Sequence, residues 1–363
     1  MSTFEPGDED IKDTHLEKNW AKRRSSILGF GCLFTISCFV TLLWTAIFIA
    51  TKLPVTESPG PFHIKPHHLY HPNQTNSCLR PAVRREWRTL SIKERKNYVD
   101  AIQCLWKHPS RLGLDHSLYE DFPWFHSRAG NFSHNTPAFM AWHRYFLDVY
   151  ERTLRDTCSY QGYLTYWDWS LDWQNMTSSP IWDPETGFGG NGNKTAHRSV
   201  GYGHCVTDGP LAGRIFKYFG NDNVKHCLSR GFISDHHMME VFGSKVRLES
   251  VERVLKQPTY EKFNKELEDG PHNALPRTIR GDFMRVTVPN DPVFFIHHVQ
   301  LDRLWWQWQQ RAPKERTLQY TTSQGESREH TSLREVFPFE PLARDRQVWE
   351  VMDTESDLLC YRY

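Results

Sequence analysis

The hydrophobic pattern opens with an uncharged run from Ser25 to Thr51 that has no polar face. As a helix rising about 1.5 Å per residue it is roughly 40 Å long, against about 30 Å of bilayer hydrocarbon, so a membrane-spanning helix is predicted over residues 25–51. Lys22, Arg23 and Arg24 abut its N-terminal end and only Lys52 the other. That asymmetry puts residues 1–24 on the cytosolic side and the rest in the lumen or outside, as a single-pass type II signal anchor. Residues 52–77 hold five prolines and read as a stem. From residue 78 the pattern turns amphipathic. Tyr98, Ile102 and Leu105 give one buried face to a helix within residues 80–107, opened by the capping pair Ser91 and Glu94. Phe139, Trp142, Phe146, Val149, Tyr150 and Leu154 follow helical spacing from about Pro137 to Arg155. Residues 246–268 are helical with a break at Pro258, and Phe295, His298, Leu301, Trp305 and Trp308 mark a strong helix from Pro292 to Gln310. Tyr163 to Asn193, rich in Trp, Gly, Asn and Asp, reads as a long ordered loop. Strand signals are few, so the class is mainly α, with residues 78–363 as one domain.

Composition changes this picture in three ways. A net charge of +1 implies no polyanionic partner, so nucleic acid is not expected. Aromatic side chains are abundant, with 14 Trp, 14 Tyr and 22 Phe, which suits a Trp-rich core and pockets for planar ligands. Beyond the apolar run lie six cysteines, Cys78, Cys104, Cys158, Cys205, Cys227 and Cys360, enough for three disulfides of undetermined pairing in an oxidising compartment. Asn-x-Ser/Thr sequons begin at Asn73, Asn131, Asn175 and Asn193, all on that same side.

The 19 histidines carry the candidate chemistry. One group, His126, His134 and His143, is spaced H-x7-H-x8-H; the other is His272 with the pair His297–His298. Helices from distant segments can converge such side chains on one metal, and imidazole suits Cu, Zn, Fe and Ni, so spacing points to a metal without choosing it. Of the adjacent pair, His298 shares its face with Leu301, Asp302 and Trp305. Successive helical residues point about 100° apart, which sets His297 aside. Asp302 either accepts a hydrogen bond from a ligand imidazole or forms a buried salt bridge with Arg144 or Arg303.

The segments HRYFLDVYERTLR and NDPVFFIHHVQLDRLWWQWQ resemble the two copper-binding signatures of the tyrosinases, and of short fungal tyrosinase-like enzymes in particular. TYWDWSLDW, PIWDPETGFGGNG and VRREWRTLSIKERKNYVDAIQCL resemble the same family, and the likeness covers about residues 78–320. It implies a helical-bundle core holding a binuclear copper site that binds dioxygen between two coppers. His126, His134 and His143 would hold the first; His272 and His298 would hold the second. It further implies an oxidoreductase that converts phenols or o-diphenols to o-quinones, with a small phenol of secondary-metabolite biosynthesis as a plausible substrate. Asn273 matches the family position that helps an acid hold the water that accepts the phenol proton, with Glu268 or Glu266 as that acid. Phe132 stands where some relatives carry a cysteine bonded to the second histidine, so no such link is expected.

One departure stands out. The family's second site begins with His-x-x-x-His on one helix, and here Pro276 follows His272. Proline offers no ligand atom and disturbs a helix interior. Three outcomes are open: a second copper completed by water or another side chain, a single-copper protein, or an inactive relative. The alternative function is therefore a copper- or ligand-binding accessory protein. His236 and His237 are a further possible source of the missing ligand. His63, His67, His68 and His71 in the stem read either as solvated linker or as a copper-capturing stretch.

Overall fold

The computed structural model describes residues 78–320 and 333–363. Within Pro72–Tyr363 the chain forms one compact unit, built around two aromatic helices that pack on each other. The first helix, α1 (Ile92–Leu105), starts as its sequence requires: Ser91 accepts from the Glu94 amide, and the Glu94 carboxylate accepts from the Ser91 amide. It is followed by α2 (Asp121–Ser133), which the hydrophobic pattern did not reveal, and by α3 (Phe139–Cys158). Helix α3 ends at Ser159 in the left-handed conformation, and the Cys104–Cys158 disulfide ties its end to α1.

The Trp-rich stretch after α3 is ordered by three 3-10 turns, Trp169–Asp172, Met176–Ser178 and Pro180–Trp182, that bury Trp167, Trp169 and Trp182. A hairpin follows, β2 (Ile215–Phe219) against β3 (Asp222–Cys227), once β1 (Ala82–Val83) is counted near the start. Gly220 turns it with a positive φ of 67°, where a Cβ would be strained. The break at Pro258 separates α4 (Leu248–Leu255) from α5 (Tyr260–Leu267), which Thr259 caps by accepting from the Lys262 amide. One π-helical turn, Glu268–His272, then leads into α6 (Asn273–Ile279). Such turns re-phase a helix and recur at functional sites.

The last long helix, α7 (Val293–Gln310), is buried along most of its length. Asp291 fixes its start by accepting from the Val293 amide while Arg230 grips both of its carboxylate oxygens, at 2.7 and 3.0 Å. Helices α3 and α7 pack through stacked rings, with Tyr150 and Phe295 centroids 3.5 Å apart. Strand β4 (Tyr361–Arg362) pairs in parallel with β1 beside the Cys78–Cys360 disulfide. A third disulfide joins Cys205 to Cys227.

In one respect the fold class read from the sequence is corrected. No helix among the described residues is long and apolar enough to cross a membrane. The two longest, α3 with 20 residues and α7 with 18, are interrupted by charged positions such as Arg144, Asp148, Asp302 and Arg303. The run 25–51, on which the spanning helix rests, lies outside the described residues, as do the polar head and the stem with its four histidines.

Candidate metal centre

Helices α2 and α3 deliver the first histidine group. His126 projects from α2, His134 sits at its C-terminal end, and His143 lies one turn into α3. One nitrogen from each falls within 4.8 Å of the others. The backbone fixes which nitrogen is free. His126 Nδ1 lies 2.6 Å from the Val286 carbonyl, His143 Nδ1 2.7 Å from that of Phe139, and His134 Nδ1 3.2 Å from that of Gly130. A carbonyl oxygen can only accept, so each Nδ1 carries the proton and each Nε2 offers a lone pair. Burial holds all three imidazoles below their usual range, with neighbouring histidines adding to the shift at His126 and His143. Neutral rings are the ligating form.

The consequence is an unfavourable contact in the absence of a cation. His126 Nε2 and His143 Nε2 face each other at 3.3 Å, both buried, with lone pairs opposed. A metal ion between them relieves that repulsion, so the donor set fits the copper that the family resemblance implies.

The second group combines His272 from the π turn with His297 and His298 from α7, again with one nitrogen each within 4.8 Å. His272 Nδ1 donates to Asn273 Oδ1 at 3.1 Å, which leaves its Nε2 free. Burial, then the neighbouring His134, push His272 down to about 3. The His298 ring stacks on that of His143 with centroids 4.3 Å apart, and His134 lies 5.8 Å from His272, so the two groups adjoin. His297 was set aside on the argument from helical angle, yet its ring is 5.1 Å from that of His298 and 5.7 Å from that of His272. The signal for it was present in the adjacent histidine pair combined with the gap at Pro276. Its Nδ1 accepts from the Trp169 indole at 3.2 Å, and its Nε2 is buried without a partner.

A pocket of about 610 Å³ opens over both groups. His126, His134, His272, His297 and His298 line it, with Phe219, Phe283, Val288 and Phe294 as apolar walls. Pro276 lines it as well, on α6 one turn beyond His272. His236 and His237 are exposed on a short helical turn and belong to neither histidine group. Cys104, His108 and Cys158 also lie together, but both cysteines are committed to a disulfide.

Asp302 makes no hydrogen bond to a ligand imidazole among the described contacts. It is instead the centre of a buried ion cluster, 2.6 Å from Arg144 Nε and 3.4 Å from Arg84, with the Tyr361 and Tyr363 hydroxyls donating to it. Arg303 pairs elsewhere, with Asp168 at 3.2 Å. Phe132 packs edge-on against Phe337, so no sulfur approaches His134 from that position.

Of the two candidate acids, Glu266 accepts from the Gln257 amide at 2.8 Å, away from the histidines. Glu268 is buried on the π turn and accepts from the Asn135 amide at 2.8 Å, next to His134. Burial pushes its carboxyl up from the usual 4.5 to about 7. A raised carboxyl means the folded protein binds more protons than the unfolded chain between those values, so stability falls as pH rises through that window and levels off above it. In the metal-free protein the fall is expected to be on the order of 2–3 kcal/mol. Chemical denaturation from pH 4.5 to 7.5 checks it: Glu268→Gln keeps the acceptor for Asn135 and should flatten the slope. An equal slope in both proteins would assign the effect to another group.

Comparison with known proteins places these features in a family context. Residues 116–311 match the family model described as the common central domain of tyrosinase. The chain is 41% identical over 340 residues to the tyrosinase-like protein phomQ1 of Diaporthe leptostromiformis, covering 89% of this chain and 87% of that one. It is 40% identical over 287 residues to tyrosinase ustQ of Aspergillus flavus, covering 79% and 80%. Among solved structures, a variant polyphenol oxidase from Thermothelomyces thermophila superposes with a TM-score of 0.69 at 28% identity, covering 78% of this chain and 88% of that one.

Proposed function

The chain belongs to the tyrosinase family of oxidoreductases, and from that premise we propose that it oxidises phenols or o-diphenols to o-quinones with dioxygen. The observation that carries this reading is the pair of opposed, buried Nε2 atoms of His126 and His143, 3.3 Å apart. When bound, a pair of coppers supplies the binding of dioxygen and the transfer of electrons from substrate. His126, His134 and His143 would hold one ion; His272 and His298 would hold the other. In the diphenol reaction two substrate molecules each give up two electrons and two protons, and one dioxygen becomes two waters.

The remaining work falls to the protein. Phe219, Phe283, Val288 and Phe294 form an apolar slot that receives a planar ring and displaces water from it. The carbonyls of Val286, Phe139 and Gly130 hold the ligand rings in one tautomer. Asn273 keeps His272 oriented through Nδ1, and it stands at the family position for steadying a proton-accepting water. Glu268, raised to about 7, can take up a phenolic proton near neutral pH. The three disulfides support a luminal or extracellular setting for residues 78–363. The likeness to tyrosinase-like proteins and to a polyphenol oxidase supports a phenol as substrate.

The test is elemental analysis of the purified protein together with dioxygen uptake on catechol. Two coppers per chain and catechol-dependent uptake support the proposal. A second reading rests on Pro276, which withdraws the family's third ligand from the second site: a copper- or ligand-binding accessory protein. Copper bound without any dioxygen uptake would favour it.

A further inference from the structure

His297 belongs to the second histidine group and lines the same pocket as Pro276, and one hydrogen bond decides its role. The Trp169 indole nitrogen lies 3.2 Å from its Nδ1, with both side chains buried. An indole N–H has no lone pair and can only donate. His297 Nδ1 is therefore an acceptor, and the ring's proton must sit on Nε2. This reverses the arrangement at His126, His134, His143 and His272, whose Nδ1 atoms donate and whose Nε2 atoms are left bare. One lone pair of His297 is occupied by Trp169 and the other nitrogen bears hydrogen, so the ring has nothing to offer a metal.

We infer that Trp169 withholds His297 from coordination, leaving the second copper on His272 and His298 alone and making it the labile ion of the pair. The inference rests on the two-copper reading, and it concerns a gap that the chain has the means to fill but does not. Trp169 acts through His297 and is a positioning residue. Without its N–H, the His297 proton is free to move to Nδ1 and Nε2 becomes a third ligand.

The experiment is chelator competition on the full protein loaded with copper, reading the dissociation constant of each ion, with the first site as internal reference. Trp169→Phe should tighten the weaker copper by roughly 10- to 100-fold, the range over which partners of ligand side chains tune metal affinity. His297→Gln keeps an oxygen to accept from the indole and should leave both constants unchanged. In the metal-free wild type, ¹⁵N resonances should place the His297 proton on Nε2, a signature that a merely structural tryptophan would not set. Loss of the weaker copper in His297→Gln, or a proton found on Nδ1, would overturn the inference, as would unchanged affinity in a folded Trp169→Phe. A wild type that takes up a single copper even at saturation would sink the two-copper reading; the inference would then be decided by whether Trp169→Phe gains a second ion.

Discussion

Pro276→His is expected to tighten the second copper by about a hundredfold and to raise catechol oxidation in parallel. The magnitude follows from tetrahedral zinc sites, where four ligands together give roughly 10–16 kcal/mol, or about 3 kcal/mol each. Position 276 lines the pocket and lies one helical turn beyond His272, so a histidine there projects on the same face. The change also returns a backbone N–H to α6, which proline lacks. Copper stoichiometry after dialysis against a mild chelator checks the first half, and the turnover of catechol at saturating dioxygen checks the second. Unchanged copper retention in a folded variant would show that the gap at 276 is not what limits the second site.

The second large effect is expected at Asp302. Burial pushes its carboxyl up, but Arg144 and Arg84 beside it, with the Tyr361 and Tyr363 hydroxyls, more than offset this and hold it below the usual carboxylate range. Asp302→Ala leaves Arg144 and Arg84 buried, at 0% and 1% exposure, without their shared counter-charge. Removing one partner of a buried pair typically costs 3–5 kcal/mol, so the melting temperature should drop by roughly 10 °C. The same residue lies one turn beyond His298 on α7, while Arg144 directly follows His143 on α3. The cluster thereby locks the two histidine-bearing helices to each other, and on the two-copper reading metal should be lost from both sites more readily. A melting temperature within about 2 °C of wild type would mean that Arg84 is adequately served by Glu151, 2.6 Å away.

Much of this centre could be read before any coordinates. The first histidine group was named from its H-x7-H-x8-H pattern and from the resemblance of the segment around His143, and the long aromatic helices lie where their apolar periodicity puts them. Three features could not be read, each for a definable reason. The π turn at Glu268–His272 shifts the phase on which a helical-face argument depends, and it buries Glu268 on the side of Asn135. The closeness of His297 to the other rings is the second: the angle between successive helical residues favours His298 as the ligand but says nothing of how near the His297 nitrogens come to a neighbour's. Its proton is set by Trp169, 128 positions away in the chain, which no local pattern encodes. Asp302 shows the opposite case: both of its possible roles were foreseen, and only the arrival of Arg84, Tyr361 and Tyr363 from the far ends of the fold chose between them.

That arrival has a practical side. The strand Tyr361–Arg362 and the residue after it work as a latch on the histidine-bearing helix α7, since two phenols from this segment plug the carboxylate on which α7 and α3 are pinned. Tyr361→Phe together with Tyr363→Phe, which withdraws both phenols from Asp302, would therefore disturb metal retention at a distance.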